Sequence, residues 1–409
     1  MTHRHATTGV TLGGKAAVSL FIASLFAFVA ESQLTEYVQN ELGYRQPYFI
    51  FYIVHSSFAI MFPLHALYLA MSSTPFSPCW ADLTLALKQH LCSTGVTGCK
   101  DRNSSFPTKR FVGLILLLTA GMTIPSLLWF IAVTLAPITD VTALWNTNAF
   151  FAYLLTVKLM HLTWEPRRLL AVLLATFGAT MVIYGSGSLD GGNDSVDDEP
   201  SAQGLSTSHD VFLGDALTLG ASVAYGLYQV LYKLYAALPS DPEVQADAVY
   251  SHLAISSETI SDGLEDAIDE TPELDPADSL PNVVYPPFGL YPNFLTSAIG
   301  LCTFLVLWIP IPILHFCDIA PFQWPSTARQ VLVISGIAFT GAVFNAGFMI
   351  LIGAWGPIVT SVGSLLTIVL MFVSDILFRD AGSSITIWSL LGSGCIVLAF
   401  GALAYETIR

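Results

Sequence analysis

Side chains able to do chemistry lie within long apolar stretches of this sequence, and the largest set falls in the stretch 214–237. Its members recur at spacings of three and four residues, which places them on one face of a helix. They are Thr218, Ser222, Tyr225, Gln229 and Tyr232, with Tyr228 beside them. Such a face could stack on and hydrogen-bond a planar ring, as in a vitamin or nucleobase, and bonding between helices is the alternative.

Ionisable groups within apolar stretches form a second set. Asp375 shares a helical face with Ser364, Thr367 and Met371, in surroundings where a carboxylate is costly. We predict that Asp375 takes up and releases a proton, a structural bond near a helix end being the alternative. His55 could titrate in the same way, although a lone histidine on an apolar face is more often held by structural bonds.

The stretch 139–160 carries polar groups at helical spacing. Asp140, Thr147 and Lys158 share one face, with Asn146 and Asn148 at its sides. Asp140 and Lys158 are eighteen residues apart, about 27 Å along a helix, and therefore cannot pair.

Two lysines, Lys158 and Lys233, fall near the ends of apolar stretches. Either could contact an anionic ligand. Lysines at this depth more often extend the ammonium group to the lipid headgroups, and we favour that interpretation for both.

Several enzyme classes lack their motifs in this sequence. It has no Gly-x-x-x-x-Gly-Lys-Ser/Thr phosphate loop, no His-Glu-x-x-His pair and no serine elbow. ATP-driven pumping and membrane hydrolysis are therefore unsupported, and we expect no enzyme, no cofactor and no metal site. Scarce, dispersed Lys and Arg residues likewise argue against a nucleic-acid partner.

The overall composition is that of a membrane protein. Of 409 residues, 54% are hydrophobic and 11% charged, with a mean hydropathy of +0.64, whereas a soluble domain carries about 25% charged residues. Ten apolar stretches are long enough to cross a bilayer. They are 14–34, 47–70, 110–135, 139–160, 166–185, 214–237, 293–315, 329–353, 357–378 and 384–405.

Charge is distributed unevenly along the chain. The net charge is −15, but segments 186–213 and 239–287 hold eighteen acids and no Lys or Arg. If the N-terminus is cytosolic, all Lys and Arg except Arg45, Arg329 and Arg379 lie on the cytosolic side. We therefore predict cytosolic termini at 1–13 and 406–409, a luminal loop 186–213, and a disordered cytosolic insertion 239–287.

The two halves of the chain resemble each other. Matching positions are Gly14 with Gly214, Pro137-Ile138 with Pro357-Ile358, and Gly178 and Gly185 with Gly394 and Gly401. A duplicated unit of five helices has opposite orientations in its two copies because five is odd. The predicted fold is therefore an all-α integral membrane protein whose ten transmembrane helices form two inverted five-helix repeats, 14–185 and 214–405.

Cysteines and sequons concern the connecting loops. Cys79, Cys92 and Cys99 show no disulfide-framework spacing, and we expect free thiols in a cytosolic loop 72–109, a metal site with His90 being the alternative. Two sequons begin at Asn103 and Asn193. Because only a luminal sequon is glycosylated, the predicted orientation makes Asn193 the glycosylation site.

Four stretches carry a family resemblance. They are Leu34-Thr35-Glu36-Tyr37 with Tyr44-Arg45-Gln46-Pro47-Tyr48-Phe49 and Tyr52; Gly214-Asp215-Ala216-Leu217 through Ala224-Tyr225-Gly226-Leu227-Tyr228 to Leu231-Tyr232-Lys233; Phe288-Gly289 with Leu307-Trp308; and Pro357, Ser364, Leu366-Thr367-Ile368 and Asp375. Through them the chain resembles the drug/metabolite transporter superfamily (EamA-like), and within it the solute carrier 35 subfamily F and fungal vacuolar membrane transporters.

The resemblance implies secondary transport with a vacuolar location, the Golgi and plasma membrane being alternatives. The chain departs from the family pattern where cargo would be met, so the cargo cannot be carried over. The departures are Gln33, Trp145, Asn146, Asn148 and Asn345. The predicted substrate-binding residues are His55, Asn146, Asn148, Tyr225, Tyr228, Gln229, Tyr232, Asn345, Ser364 and Thr367.

The functional prediction is a secondary active transporter that moves a small polar organic solute, such as a vitamin or a nucleoside or nucleotide derivative, across an endomembrane by alternating access. The alternative is a non-transporting membrane scaffold or sorting receptor that acts through segment 239–287. The expected partners are the small-molecule cargo and the lipid bilayer, and a homodimer stays open.

Overall fold

The computed structural model describes residues 14–72, 76–93, 106–136, 138–187, 208–238, 286–318, 321–378 and 386–408. Within those ranges every regular element is helical, which confirms the predicted all-α class. The helices are α1 Gly14–Asn40, α2 Pro47–Ser57, α3 Met61–Met71, α4 Phe76–Ser93, α5 Thr108–Leu135, α6 Ile138–Asn146, α7 Asn148–Leu159, α8 Pro166–Gly187, α9 Ser208–Tyr235, α10 Leu290–Val306, α11 Pro310–Phe316, α12 Ala328–Ser364, α13 Leu366–Phe378 and α14 Ile387–Ile408. A short 3₁₀ segment, Phe58–Ile60, joins α2 to α3.

Eight helical stretches in the described part of the chain are long and apolar enough to cross a membrane. They are Ala16–Gln39, Pro47–Met71, Thr108–Trp129, Pro166–Tyr184, His209–Tyr235, Leu290–Phe316, Ala328–Ser374 and Ile387–Tyr405. These stretches identify a multi-pass membrane protein, and they cover nine of the ten predicted spans.

Two features of the helices account for the difference between the ten predicted spans and the eight candidate stretches. The predicted span 139–160 is divided into α6 and α7, of 9 and 12 residues, and neither is long enough to cross alone. The predicted spans 329–353 and 357–378 fall within one apolar stretch of 47 residues. The backbone of that stretch is non-helical at Gly356, with φ 80° and ψ 169°.

The helices pack in pairs, with α1 along α12, α8 along α14, and α9 against both α5 and α7. The α8–α14 pair crosses at Gly178 and Gly392, where a Cβ on either glycine would lie 2.6 or 2.5 Å from the carbonyl oxygen of the other. Close backbone approach through small residues is typical of packing between membrane helices.

Part of the predicted loop 72–109 forms the helix α4. His90 of α4 donates from Nε2 to the carbonyl oxygen of Tyr235, 2.9 Å away at the end of α9. The Trp80 ring packs against Phe62 of α3 and Phe294 of α10. Burial lowers the pKa of His90, which favours the neutral imidazole in this contact. Helix α4 therefore covers one end of the helical bundle.

The expectation of free thiols in this loop is wrong at Cys92, which is disulfide-bonded, and right at the buried Cys79. Cys99 and Asn103 lie outside the described residues. Disulfides persist mainly in oxidising compartments, so the bond at Cys92 favours a luminal position for the loop. The distribution of Lys and Arg favours a cytosolic one.

Candidate functional site

The polar face predicted on α9 is buried inside the bundle. Thr218, Ser222, Gln229 and Tyr232 are all 0% exposed. Gly226 permits this burial because α7 lies against it: a Cβ at Gly226 would be 3.0 Å from a backbone nitrogen of α7. The face is therefore directed to neighbouring helices and not to lipid.

Aromatic rings from two helices form a stack at this face. The Trp145 ring of α6 lies on Tyr225 with ring centroids 5.1 Å apart and an interplanar angle of 29°. Tyr225 lies beside Tyr228 at 6.1 Å and 26°. The Tyr228 ring rests on Gly121 of α5, where a Cβ would lie only 2.9 Å from the ring. This stack of Trp145, Tyr225 and Tyr228 is called the aromatic stack below.

Burial increases along the α9 side of the aromatic stack. Trp145 and Tyr225 are half-buried, Tyr228 is 2% exposed and Tyr232 is 0% exposed. Tyr228 and Tyr232 share one contiguous core cluster with Tyr291 of α10. The stack is thus most accessible at Trp145 and closed toward Tyr232.

Several buried polar atoms around the aromatic stack have no hydrogen-bond partner among the described residues. They are the hydroxyls of Tyr228, Tyr232 and Tyr291, both amide atoms of Gln229, and Oδ1 of Asn148. Leaving such an atom unpaired costs about 1–3 kcal/mol. A solute with polar groups could pair with these atoms, which offer both donors and acceptors.

The helix predicted over 139–160 is interrupted at Thr147, and the shared face of Asp140, Thr147 and Lys158 stays a prediction. The Thr147 hydroxyl lies 2.9 Å from that of Ser222, which joins this interruption to α9. The Asn146 amide donates to the Thr142 carbonyl, and the Asn148 amide to that of Trp145. Both asparagines therefore stabilise the chain on either side of the interruption.

The outer ends of that stretch carry its two charged residues. Asp140 accepts a 2.6 Å hydrogen bond from the Tyr184 hydroxyl of α8. Lys158 is exposed, which agrees with the snorkelling interpretation. Neither residue contacts the aromatic stack through a described bond.

Lys233 does not snorkel, contrary to the sequence-based interpretation. It is 8% exposed, and its Nζ donates to the carbonyl oxygen of Gly353 at 2.6 Å. In an uninterrupted helix that carbonyl would accept from the residue four positions later, which is Pro357 and has no N–H. Lys233 therefore supplies the donor that Pro357 lacks.

Four other predicted residues direct their polar groups to carbonyl oxygens of their own neighbourhood. His55 bonds to Phe51, Asn345 to Gly341, Ser364 to Ser361, and Thr367 to Ser364. The His55 ring also packs between Phe51 and Phe58, at centroid distances of 4.0 and 4.9 Å. The described bonds do not bring these four side chains to the aromatic stack.

Some predicted residues lie beyond what the structure describes. Asp375 belongs to α13, but its side chain is outside the described set. Asn193 and the segment 239–285 are also outside the described residues.

Sequence reasoning missed two residues that the structure makes prominent. Glu31 is an acid inside the candidate span Ala16–Gln39, and its charge within an apolar stretch was the available signal. Tyr291 joins the buried tyrosines from α10, and a single tyrosine at a helix start carries no sequence signal for that role.

Comparisons with known proteins bear on the fold alone. No family model and no curated protein matches the chain. Among solved structures, 13 chains match. One, described only as "Crystal structure of protein", has a TM-score of 0.56 and 11% identity, and the alignment covers 96% of this chain and 99% of that one. At that identity the likeness concerns the fold alone.

Proposed function

We propose that this protein is a secondary active transporter that carries a small polar organic solute across an endomembrane by alternating access. The observation that carries the proposal is the aromatic stack with unpartnered polar atoms around it. Burying unpaired hydroxyl and amide groups in a membrane protein costs free energy, so their presence favours a role in binding a ligand or lining a water-filled path.

The arrangement of the helices supports transport over a purely structural role. Transporters of this general type place the cargo at discontinuous helices near the middle of the membrane. Here α6 and α7 are interrupted at Thr147, and α12 is interrupted at Gly356. Both interruptions are bonded to α9, which also carries two rings of the aromatic stack. Ten spans in two inverted repeats belong to this proposal.

The proposed cargo contains a planar ring. Aromatic rings stack on the faces of other rings, and the half-buried Trp145–Tyr225 pair offers such a face. Tyrosine hydroxyls and the Gln229 amide could then pair with polar groups at the edge of the ring. A vitamin or a nucleoside derivative has this combination of a flat face and a polar edge.

The membrane and the orientation also form part of the proposal. We place the protein in a vacuolar membrane with both termini cytosolic, as the family resemblance and the distribution of Lys and Arg suggest. No ATP-binding motif supports a pump, so the energy would come from an ion gradient.

The test is a thermal-shift screen of the purified full-length protein against vitamins, nucleosides, nucleotide sugars and amino acids. A ligand stabilises the folded state by RT ln(1 + [L]/Kd), so a compound with a planar ring should raise Tm. Tyr225→Ala should abolish that shift. Tyr235→Ala is the matched control, because Tyr235 is an exposed tyrosine on the same helix.

Two outcomes would contradict the proposal. A ligand shift of equal size in Tyr225→Ala and wild type would place binding elsewhere. A lower Tm in Tyr225→Ala together with unchanged ligand affinity would show that the aromatic stack only packs helices. Gln229→Ala should also weaken binding, through loss of the amide.

A further inference from the structure

Glu31 occupies a membrane-spanning part of α1. It lies eight residues from Gln39, where the candidate span ends, which is about 12 Å along the helix. Glu31 belongs to a seven-residue series with Ala17, Ser24 and Val38, which are 0%, 2% and 0% exposed. This series is the face of α1 that packs along α12, so Glu31 points into the bundle.

The Glu31 carboxyl lies directly on the backbone of α12. A Cβ placed on Gly341 would be 2.8 Å from Glu31 Oε1 and 3.1 Å from Cδ. The same Cβ would lie 2.6 Å from a methyl carbon of Val54 on α2. The carboxyl therefore sits where α1, α2 and α12 meet, in a space that exists because residue 341 has no side chain.

No described residue pairs with this carboxyl. The hydrogen bond found at Glu31 uses its backbone carbonyl, which accepts from the Thr35 hydroxyl at 2.7 Å. A described ion pair joins Arg168 of α8 to Glu165, just before that helix, and does not involve Glu31. The Glu31 side chain is half-buried, so part of its surface remains exposed.

The titratable or charged residues on the helices packed around Glu31 make no described bond to its carboxyl. They are His55, Tyr48 and Tyr52 on α2, Arg329 on α12, and Asp375 on α13. Arg329 lies over the Tyr37 ring at 5.3 Å, twelve residues from Gly341 and thus about 18 Å along α12. His55 bonds to its own helix, and the Asp375 side chain is not among those described.

We propose that the Glu31 carboxyl is the site that binds and releases the proton coupled to transport. A carboxylate at this depth is costly when charged, so movement of α1 along α12 should occur with the proton bound. The proton passes between water and the carboxylate oxygen, and no other group changes. The inference rests on the proposed transporter function for its role, but proton binding itself is measured without cargo.

The test is infrared spectroscopy of the full-length protein in lipid vesicles during a pH titration. A protonated carboxyl has a C=O stretching band that disappears as the pH is raised. We expect this band in wild type, its loss in Glu31→Gln, and its retention in Glu36→Gln, the matched control at an exposed position on the same helix. Glu31→Asp should keep a band at a displaced frequency, which shows that loss in Glu31→Gln does not reflect misfolding.

Exchange into D₂O separates a coupling role from a structural one. A proton that enters and leaves during transport must reach water, so the Glu31 band should shift promptly in D₂O. A band that is present but does not shift would overturn the coupling role. Identical pH-difference spectra in wild type and Glu31→Gln, or loss of the band in Asp375→Asn alone, would overturn the site. The infrared measurements use no cargo. Failure of the proton-site proposal can therefore be distinguished from failure of the transporter proposal.

Discussion

Two of the helix interruptions in the described part of the chain, at Thr147 and at Gly356, are made in different ways. At Thr147 the chain keeps right-handed backbone angles, with φ −66° and ψ −8°, and neither neighbour is glycine or proline. At Gly356 the backbone has φ 80° and ψ 169°, a conformation open essentially to glycine alone, and Pro357 follows. The local sequence therefore explains the second interruption, through Gly356 and Pro357. It does not explain the first, which we attribute to packing.

Both interruptions are nevertheless bonded to the same helix. Ser222 of α9 bonds to Thr147, and Lys233 of α9 bonds to the Gly353 carbonyl. Ser222 and Lys233 are eleven residues apart, which is about three turns and about 16 Å along one face. A displacement of α9 would thus change both interruptions together, and variants at each can separate their contributions.

The largest effect should come from Lys233→Met. It removes the charged donor to the Gly353 carbonyl, at a cost of about 1.5–3 kcal/mol, the value of a hydrogen bond to a charged group. The measurement is Tm in detergent. Lys158→Met is the matched control because Lys158 is exposed, and it should leave Tm unchanged. Equal loss in both variants would show that Lys233 does not stabilise the interruption.

Gly356→Ala should be slightly less damaging, by about 1–3 kcal/mol, because a side chain is strained at this φ and ψ. Steric contact cannot explain such a loss, since a Cβ at Gly356 meets nothing within 4 Å. Gly353→Ala is the control three residues earlier, also without contacts and without a positive φ. Thermal unfolding of the pair should show Gly353→Ala neutral or more stable. A neutral Gly356→Ala would contradict the backbone argument.

The bond at the first interruption should matter least. Ser222→Ala and Thr147→Val should each lower stability by about 0.5–1.5 kcal/mol, the net value of a neutral hydrogen bond. A double-mutant cycle measures the coupling energy between the two hydroxyls. We expect the double variant to lose less stability than the sum of the losses in the two single variants. Thr147→Ser keeps the hydroxyl and should therefore retain the coupling to Ser222. Strictly additive losses would mean that the two hydroxyls do not interact.

The orientation of the chain determines which loops face the cytosol, and it is tested by glycosylation and not by stability. If the charge distribution is right, glycosidase treatment should shift wild type on a gel but not Asn193→Gln. The disulfide at Cys92 favours the opposite side for the neighbouring loop. A glycan removed by Asn103→Gln would therefore reverse the proposed orientation.

The comparison of the two interruptions also separates what sequence patterns can predict. Pro357 marked a boundary between two predicted spans, and the structure has its non-helical residue beside it, at Gly356. Nothing in the residues around Thr147 predicted an interruption, and the single span 139–160 with Asp140 and Lys158 on one face stays a prediction, because Thr147 keeps right-handed backbone angles. Proline and glycine act through the local backbone, whereas the Thr147 hydroxyl contacts a partner 75 residues away, which no local pattern reveals.

The candidate site shows the same division. The spacing of the polar residues along α9 predicted that they share one face of the helix, and that face is buried. The pattern could not show that Lys233 is buried, because its position near a helix end also fits snorkelling. It also could not connect Tyr291 to the α9 tyrosines, since that contact joins separate helices.

The sequence by itself determined that this is an all-α, multi-pass membrane protein with a polar and aromatic face on α9. Composition and helical period suffice for that, because the bilayer requires apolar spans whose backbone bonds are satisfied internally. Only the tertiary structure decided that Trp145 stacks on Tyr225, that Lys233 serves the Gly353 carbonyl, and that Glu31 rests on Gly341. Each of these contacts joins helices distant in sequence, and its geometry depends on how the helices pack and not on any local pattern of residues.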